Sequence, residues 1–225
     1  INYNLGNIEE AMQYYLEGKT EVEKTNDYKV GYLIMSSLGK LYLYRDFEEY
    51  AFDACPKAYD YAVKDSNKRY QMGSLQYLAR CYCLLDKLPA AIETYQKCME
   101  IALELGLEND EYYYGVQHET ALVYTNSCEY EKSLSILRPF PVKYRSNSLI
   151  GKNLFSLGKL DSAFYYLNKA LNTDNVYTKE SVYRYLYRLC DNSKYRQYLK
   201  TYCDSLLYYN DSIIALDKGK EIIAY

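Results

Sequence analysis

The chain has 225 residues with a net charge of −3, and its 49% hydrophobic and 25% charged residues are ordinary for one or two globular domains. An isoelectric point near 5.4 excludes a general electrostatic attraction to nucleic acid, so no direct nucleic-acid contact is expected. No stretch reaches the roughly 20 apolar residues of a membrane span, and ten glycines and four prolines are too few for a loop-rich all-β chain. The composition therefore predicts a mainly helical protein.

Tyrosine is unusually abundant, with 32 Tyr against 5 Phe and no Trp. A tyrosine can bury its ring while its hydroxyl reaches water or a polar partner. This composition suits a thin structure of two helical layers, in which no core residue lies far from solvent.

Small residues recur along the chain in a fixed relation to larger ones. Ala11, Ala51 and Ala91 are spaced by 40 residues, and each is followed four residues later by a larger side chain. Related fragments begin at Ser133, Ala163 and Tyr198. Upstream of these lies a second kind of fragment, in which a small or apolar residue stands among larger ones: Leu38-Gly39-x2-Tyr42, Leu78-Ala79-x2-Tyr82, Thr120-Ala121-x2-Tyr124, Ile150-Gly151-x2-Leu154 and Tyr185-Leu186-x2-Leu189.

These fragments predict helical hairpins, because the residue at the closest approach of two helix axes must be small. Gly39 and Ala51 are expected to meet within one hairpin, and Ala58 is expected to contact the next. Short polar pairs predict the turns and helix caps between these helices. The turns are Arg45-Asp46, Asp86-Lys87 and Gly158-Lys159, and the caps are Asn26-Asp27, Ser66-Asn67 and Asn109-Asp110.

Together the two fragments resemble the tetratricopeptide repeat, whose unit reads W-x2-L-G-x2-Y followed by A-x3-F. The resemblance covers residues 4 to about 205 as five helix pairs and one half pair, with units longer or shorter than the usual 34 residues and without the Trp. It implies an all-α fold, a right-handed superhelical solenoid of antiparallel helix pairs. We predict a repeat array over residues 1–205 and a truncated capping or linker helix over 206–225.

The resemblance also implies a binding groove lined by the first helix of each pair. The ninth position of that helix points into the groove in the family, and here it is Lys40, Arg80, Leu122 and Lys152. The fifth position is Ser36, Gln76, His118 and Ser148. One hypothesis is a basic ladder of Lys40, Arg80 and Lys152 that holds carboxylates of an extended peptide, with further contacts from the polar fifth positions and from Tyr44 and Tyr77. The alternative is an ordinary solvated face.

An enzyme is not expected. The single histidine, His118, has no nucleophile and orienting carboxylate in a catalytic pattern, and no phosphate-binding loop or metalloprotease motif occurs. Seven cysteines form no CxxC pair, so neither a zinc site nor a disulfide framework is spelled out, and no cofactor is expected.

Segments such as "LGNIEEAMQYYLEG" and "LGKLDSAFYYLNKALN" are similar to bacterial membrane-anchored tetratricopeptide regulators. The likeness implies the sensory or partner-binding part of a signalling protein on the periplasmic side, with any membrane contact made by segments outside this chain. A stand-alone scaffold that holds an assembly together is the alternative. Unpaired cysteines favour a reducing compartment and hence the cytoplasm, so both settings stay open.

Overall fold

The computed structural model describes residues 8–25, 27–45 and 47–223, and all regular secondary structure in these ranges is helical. Eleven α-helices follow one another with short connections, which confirms the predicted all-α class. In the sense of the repeat, the first helices are α2 (Tyr28–Tyr44), α4 (Lys68–Leu84), α6 (Glu111–Asn126), α8 (Asn147–Ser156) and α10 (Val176–Leu189). The second helices are α1 (Ile8–Thr25), α3 (Glu48–Lys64), α5 (Leu88–Glu104), α7 (Tyr130–Leu137), α9 (Leu160–Ala170) and α11 (Leu199–Ile223).

Helices that are adjacent in the chain pack against each other as antiparallel pairs. Near the start of α2, Gly31 lies against Tyr61 close to the end of α3, whereas Gly39, later in α2, lies against Cys55. The partner residue moves backwards along α3 as the residue in α2 moves forwards, which is the register of an antiparallel hairpin. The helix α1 supplies the second helix of the predicted half pair.

Polar caps begin several of the first helices. The Asp27 carboxylate accepts a hydrogen bond from the backbone N–H of Val30, and Asn67 caps α4 in the same way. Asp110 accepts from the N–H of Tyr112 at the start of α6. Each oxygen satisfies a donor that has no partner within the helix, so these three predicted caps are confirmed. Asn26 lies outside the described residues.

Several helices end in the same left-handed turn. After each of them one residue adopts a positive φ, and the last carbonyls accept two hydrogen bonds in the Schellman arrangement. Among the described residues, positive φ occurs at Ser66, Asp86, Gly106, Cys128 and Gly158. The predicted turns at Asp86 and Gly158 are thereby confirmed, whereas Asp46 of the third predicted turn is not among the described residues.

Small residues lie at the helix contacts, but the neighbours nearest to Gly39 are Ala54 and Cys55 and not the expected Ala51. Ala51 is fully buried, and a Cβ added to Gly39 would come 2.7 Å from the Sγ of Cys55. Ala58 is also buried and belongs to the same cluster as Cys81 of α4. The close approach of the helices therefore depends on these small side chains.

The chain forms two compact units, Ile1–Val123 and Tyr124–Tyr225, called here the N-terminal and C-terminal units. In the N-terminal unit the core is built by α2 to α6 around Leu38, Cys55, Tyr95 and Val116. In the C-terminal unit the fully buried side chains include Leu134, Leu167 and Leu186.

The predicted boundary between residues 205 and 206 falls inside α11, which is continuous from Leu199 to Ile223. The first part of α11 pairs with α10, where the ring of Tyr183 stacks on Tyr209 with centroids 5.5 Å apart. The capping role of residues 206–225 stays a prediction.

Candidate functional site

The side of α2, α4 and α6 that does not pack against α3 and α5 carries the predicted site residues of the N-terminal unit. We call this surface the N-terminal first-helix face, and it is defined by Ser36, Lys40, Gln76, Arg80, His118 and Leu122. Lys40, Arg80 and Leu122 are exposed, while Ser36, Gln76 and His118 are half-buried. The two predicted tyrosines differ, because Tyr44 is 65% exposed and Tyr77 is half-buried.

Two of these predicted site residues, Gln76 and Arg80, bind a carboxylate of the next repeat. Glu119 of α6 pairs with Arg80 of α4, whose Nε donates to Oε2 at 3.1 Å and whose second terminal nitrogen donates to Oε1. The amide of Gln76 donates to Oε1 at 3.0 Å, and the hydroxyl of Tyr95 in α5 donates to Oε2 at 2.8 Å. This Glu119 cluster joins three helices.

Within the Glu119 cluster the charge of Glu119 is balanced by that of Arg80. The side chain of Glu119 is 19% exposed, and both of its oxygens accept hydrogen bonds. The hydrogen bonds to Glu119 raise the pKa of Arg80 further above its usual range, and burial raises the pKa of Tyr95. The guanidinium of Arg80 also lies 5.5 Å from the ring centroid of Tyr77. Arg80 therefore presents little unbalanced positive charge to a partner.

Sequence reasoning missed Glu119, although a signal for it exists. Glu119 stands two residues before Ala121, the small residue of its helix, where three other repeats have the uncharged Ser37, Tyr77 and Leu149 and the fifth has Arg184. In those three repeats the position is half-buried or buried, and a charge in such a place needs an opposite partner. Arg80 is the basic residue of the preceding repeat that meets this need.

His118 lies beside Glu119 on α6, and burial lowers its pKa below the usual range. The neighbouring Glu119 acts in the opposite direction, so the carboxylate partly offsets the burial. At neutral pH His118 is therefore an uncharged polar group that can donate or accept a hydrogen bond.

The N-terminal first-helix face also contains two glycines in helix interiors. Gly73 of α4 and Gly115 of α6 stand three residues before Gln76 and His118, respectively, at the same position of consecutive repeats. A Cβ added to Gly115 would meet nothing within 4 Å, and one added to Gly73 would meet only the hydroxyl of Tyr32 at 3.4 Å. A glycine inside a helix costs about 0.5–1 kcal/mol relative to alanine. No packing contact within the described residues accounts for Gly115.

The predicted site residues of the C-terminal unit lie on α8. Ser148 and Lys152 are both half-buried, and the ammonium of Lys152 lies 5.7 Å from the ring centroid of Tyr185 in α10. Burial lowers the pKa of Lys152, and the nearby Glu180 of α10 opposes this shift. In the described part of the chain, Lys152 makes no hydrogen bond or ion pair.

Glu180 forms its ion pair with another cation. It is 8% exposed, and Arg184, one turn later in α10, donates to its Oε1 from Nε at 3.1 Å and from a terminal nitrogen. Two cations, Lys152 and Arg184, therefore share the neighbourhood of one carboxylate.

The two units carry opposite net charges. Residues 1–123 contain 12 basic and 20 acidic residues, whereas residues 124–225 contain 15 basic and 10 acidic residues. The first helices of the C-terminal unit, α8 and α10, contribute four basic residues and one acidic residue. The weakly acidic charge of the whole chain conceals this difference.

The described cysteines are all free thiols. In the tightest pair Cys81 Sγ donates to Cys55 Sγ at 3.4 Å in the interior between α3 and α4, and this hydrogen bond together with burial raises the pKa of Cys55. No group of three or more His, Cys, Asp or Glu residues among the described residues could hold a metal ion. None of the described helices combines the length and apolar character needed to cross a membrane.

Solved structures with the same arrangement of helices identify the fold. BtubC (BKLC) from P. vanneervenii has a TM-score of 0.73 at 15% identity over 92% of each chain, and apo RapI has 0.72 at 14% identity over 96% of this chain and 87% of its own. A putative kinesin light chain from Podosopora anserina with nearly identical TPR-like repeats has a TM-score of 0.61 at 14% identity, over 80% of this chain and 94% of its own. The chain has a tetratricopeptide-like repeat fold. No protein-family model and no curated protein matches the sequence.

Proposed function

We propose that the chain is a protein- or peptide-binding repeat module whose partner lies along the N-terminal first-helix face. Second helices cover the other side of α2 and α4, and the helices bury their apolar side chains there. The first-helix face instead offers hydroxyl, amide, imidazole and cationic groups on neighbouring helices, which is the arrangement that an extended peptide requires.

The open surface at Gly115 is the observation that carries the proposal. The interior glycine lowers the stability of helix α6, although no described neighbour needs the space that a side chain would fill. A partner backbone that passes close to α6 would need that space. The supporting glycine, Gly73, stands at the matching position of α4.

The test compares two variants that each add one arginine. Gly115→Arg fills the first-helix face, and Gln96→Arg places the same side chain on the exposed surface of the second helix α5. Both should fold, because the first position has no neighbour within 4 Å and the second is exposed. Proteins captured by the wild-type chain from an extract of its source cells are identified by mass spectrometry.

The proposal expects Gln96→Arg to recover the wild-type partners and Gly115→Arg to lose them. Equal recovery by both variants, with unchanged circular dichroism, would place the partner elsewhere on the molecule. Loss of the partners by both variants would mean that binding does not use the first-helix face specifically.

We propose that the partner carries acidic groups, as expected for the predicted ladder, but that Arg80 does not bind them because Glu119 already holds its guanidinium. Substituting the other two ladder residues, Lys40 and Lys152, by glutamate should abolish capture without changing the circular dichroism. Capture that survives this double substitution would exclude the ladder.

A regulatory or sensory role in a bacterial signalling protein is the function that we propose for this binding, and a scaffold without signalling is the alternative. Polar hydrogen-bonding groups and charges dominate the first-helix face, as in interfaces that form and dissociate. If an output region adjoins this chain in a longer protein, deleting that region separates the two roles. A sensor loses its response but keeps its partner, whereas a scaffold is unaffected in both.

A further inference from the structure

The chemistry of the acidic partner can be assigned to one part of the molecule, and this step rests on the proposed function. Among the cations of the predicted ladder, Arg80 of the N-terminal unit already has a carboxylate in place, whereas Lys152 of the C-terminal unit has no ion pair among the described residues.

In the N-terminal unit Arg80 is already paired. Its guanidinium donates to both oxygens of Glu119, and Gln76 and Tyr95 complete the environment of this carboxylate. An incoming carboxylate would have to displace an intramolecular one that holds four hydrogen bonds. Such a displacement is unfavourable because Glu119 is tethered at the site, and the incoming group is not.

In the C-terminal unit the cations outnumber the carboxylates. Lys152 is half-buried and makes no hydrogen bond or ion pair in the described part of the chain, although it has lost part of its hydration. Glu180 is the acidic group that acts on it, and Glu180 is bonded to Arg184 through Oε1. One more carboxylate would balance this pair of cations.

The surrounding helix surface adds to the same charge. Arg188 lies one turn beyond Arg184 on α10, is exposed, and takes part in no ion pair among the described residues. Lys179, near the start of α10, lies over the ring of Tyr209 at 5.4 Å. Ser148, one turn before Lys152 on α8, supplies a hydroxyl that can donate to a carboxylate.

We propose that the surface of α8 and α10 formed by Ser148, Lys152, Arg184 and Arg188 is the site that binds the acidic side chains of a partner polypeptide. Lys152 and Arg184 hold one carboxylate, with Glu180 fixing the orientation of Arg184. Arg188 binds the next acidic side chain along the partner. Arg80 does not take part.

Fluorescence anisotropy with labelled hexaglutamate tests this assignment, and labelled hexaglutamine is the uncharged control. The full chain is titrated at low and at physiological ionic strength. Four variants each remove one positive charge: Lys152→Gln, Arg188→Gln, Arg80→Gln and Lys40→Gln. All four therefore have the same net charge, so a difference between them reports position and not total charge.

The proposal expects Lys152→Gln and Arg188→Gln to weaken hexaglutamate binding about fivefold each, while Arg80→Gln changes it less than about twofold. Equal losses in all four variants would reduce the effect to net charge and overturn the assignment. A larger loss in Arg80→Gln would place the acidic ligand on the N-terminal unit.

Two further outcomes are decisive. If a single-stranded oligonucleotide with the same number of charges binds tighter than hexaglutamate, the site recognises phosphates and the assignment to an acidic polypeptide is wrong. If the wild-type chain does not bind hexaglutamate, the assignment fails on its own. The capture experiment with Gly115→Arg still decides the proposed function in that case.

Discussion

The two units differ in how the cations of their first helices are paired with carboxylates. In the N-terminal unit Glu119 binds Arg80 through both oxygens and leaves a neutral, closed cluster. In the C-terminal unit Glu180 binds Arg184 through one oxygen and leaves Lys152 without an ion pair among the described residues. A count of basic residues in a repeat array is thus a poor guide to ligand binding until the carboxylates of the next repeat are placed.

The contacts between a first helix and the second helix that precedes it also differ between the units, but here the polar network lies in the C-terminal unit. In the N-terminal unit the interior of α3 and α4 contains the thiols of Cys55 and Cys81. In the C-terminal unit Asn153 stands at the repeat position of Cys81, and its amide donates to Ser133 Oγ at 2.7 Å. Thr125 donates to Asn153 Oδ1 at 2.9 Å and lies 3.0 Å from Ser133 Oγ. At equivalent positions the N-terminal unit therefore has a contact between thiols, and the C-terminal unit has a network of hydrogen bonds.

The largest difference between the units is expected in the loss of stability when Asn153 or Cys81, which stand at equivalent positions, is replaced by alanine. Asn153→Ala removes two hydrogen bonds and opens a cavity in the interior, so it should lower the free energy of unfolding by about 2–4 kcal/mol. Cys81→Ala removes one small side chain and should cost about 1–2 kcal/mol. Urea denaturation of both variants measures the two losses. A loss for Cys81→Ala as large as that for Asn153→Ala would show that the polar network adds nothing.

Alanine at the two closest helix approaches should give the next largest difference. A Cβ on Gly151 would lie 2.7 Å from Leu167 Cγ and 3.1 Å from the backbone nitrogen of Leu167, so the helices must separate. We expect Gly151→Ala to destabilise the protein by about 1–3 kcal/mol, even after the gain in helix propensity. The clash at Gly39 involves only the Sγ of Cys55 at under 3 Å.

The Gly39 clash should therefore be reversible by a second substitution. Gly39→Ala alone is expected to destabilise, and Cys55→Ala should rescue it by about 1 kcal/mol in a double-mutant cycle. A smaller rescue is expected from Leu167→Ala in the Gly151 variant, because the 3.1 Å contact with the backbone nitrogen remains. Thermal unfolding followed by circular dichroism in the far ultraviolet checks the cycle. Equal rescue at both sites would contradict this distinction.

The first-helix face should give a smaller effect of opposite sign. Gly115→Ala gains helix propensity without a clash and should raise the free energy of unfolding by about 0.5–1 kcal/mol. If a partner passes over α6, the same variant should bind it less tightly. Gly73→Ala is the matched variant in α4, and its contact with the Tyr32 hydroxyl is of ordinary length. Destabilisation by Gly115→Ala would mean that unseen neighbours occupy this surface.

The smallest effect is the pH dependence of stability that comes from histidine, which belongs to the N-terminal unit because His118 is the single histidine of the chain. Burial lowers its pKa, so the unfolded chain binds a proton at a higher pH than the folded chain. Stability is full above the unfolded value of about 6.5 and falls as the pH drops from there through the folded pKa. His118→Gln should remove this slope in urea titrations. An unchanged slope would assign it to carboxylates.

The sequence was sufficient for features that depend on local spacing. Small residues such as Gly39 and Ala51 predict the helix contacts, and Asp27 and Asn67 predict the caps, because each of these is decided within a few residues. The helix that spans residue 205 was not predicted, because an apolar stripe does not show where one helix ends and another begins.

Pairings across repeats could not be predicted in the same way. The partner of Arg80 is 39 residues away, and the partners of Asn153 are 20 and 28 residues away. Each depends on the register of two packed helices, which a shift of one residue would change. The sequence shows that Arg80 and Asn153 are present, and only the packed helices show that their polar groups are satisfied internally.

The opposite charges of the two units also determine what a partner experiences at different ranges. At distances beyond the Debye length of about 8 Å in physiological salt, the chain presents only a weak and screened negative field. At contact distance an acidic partner is repelled by one unit and attracted by the other. Lowering the ionic strength therefore strengthens repulsion and attraction together, and the sign of the salt dependence of the association rate reveals which unit the partner meets first.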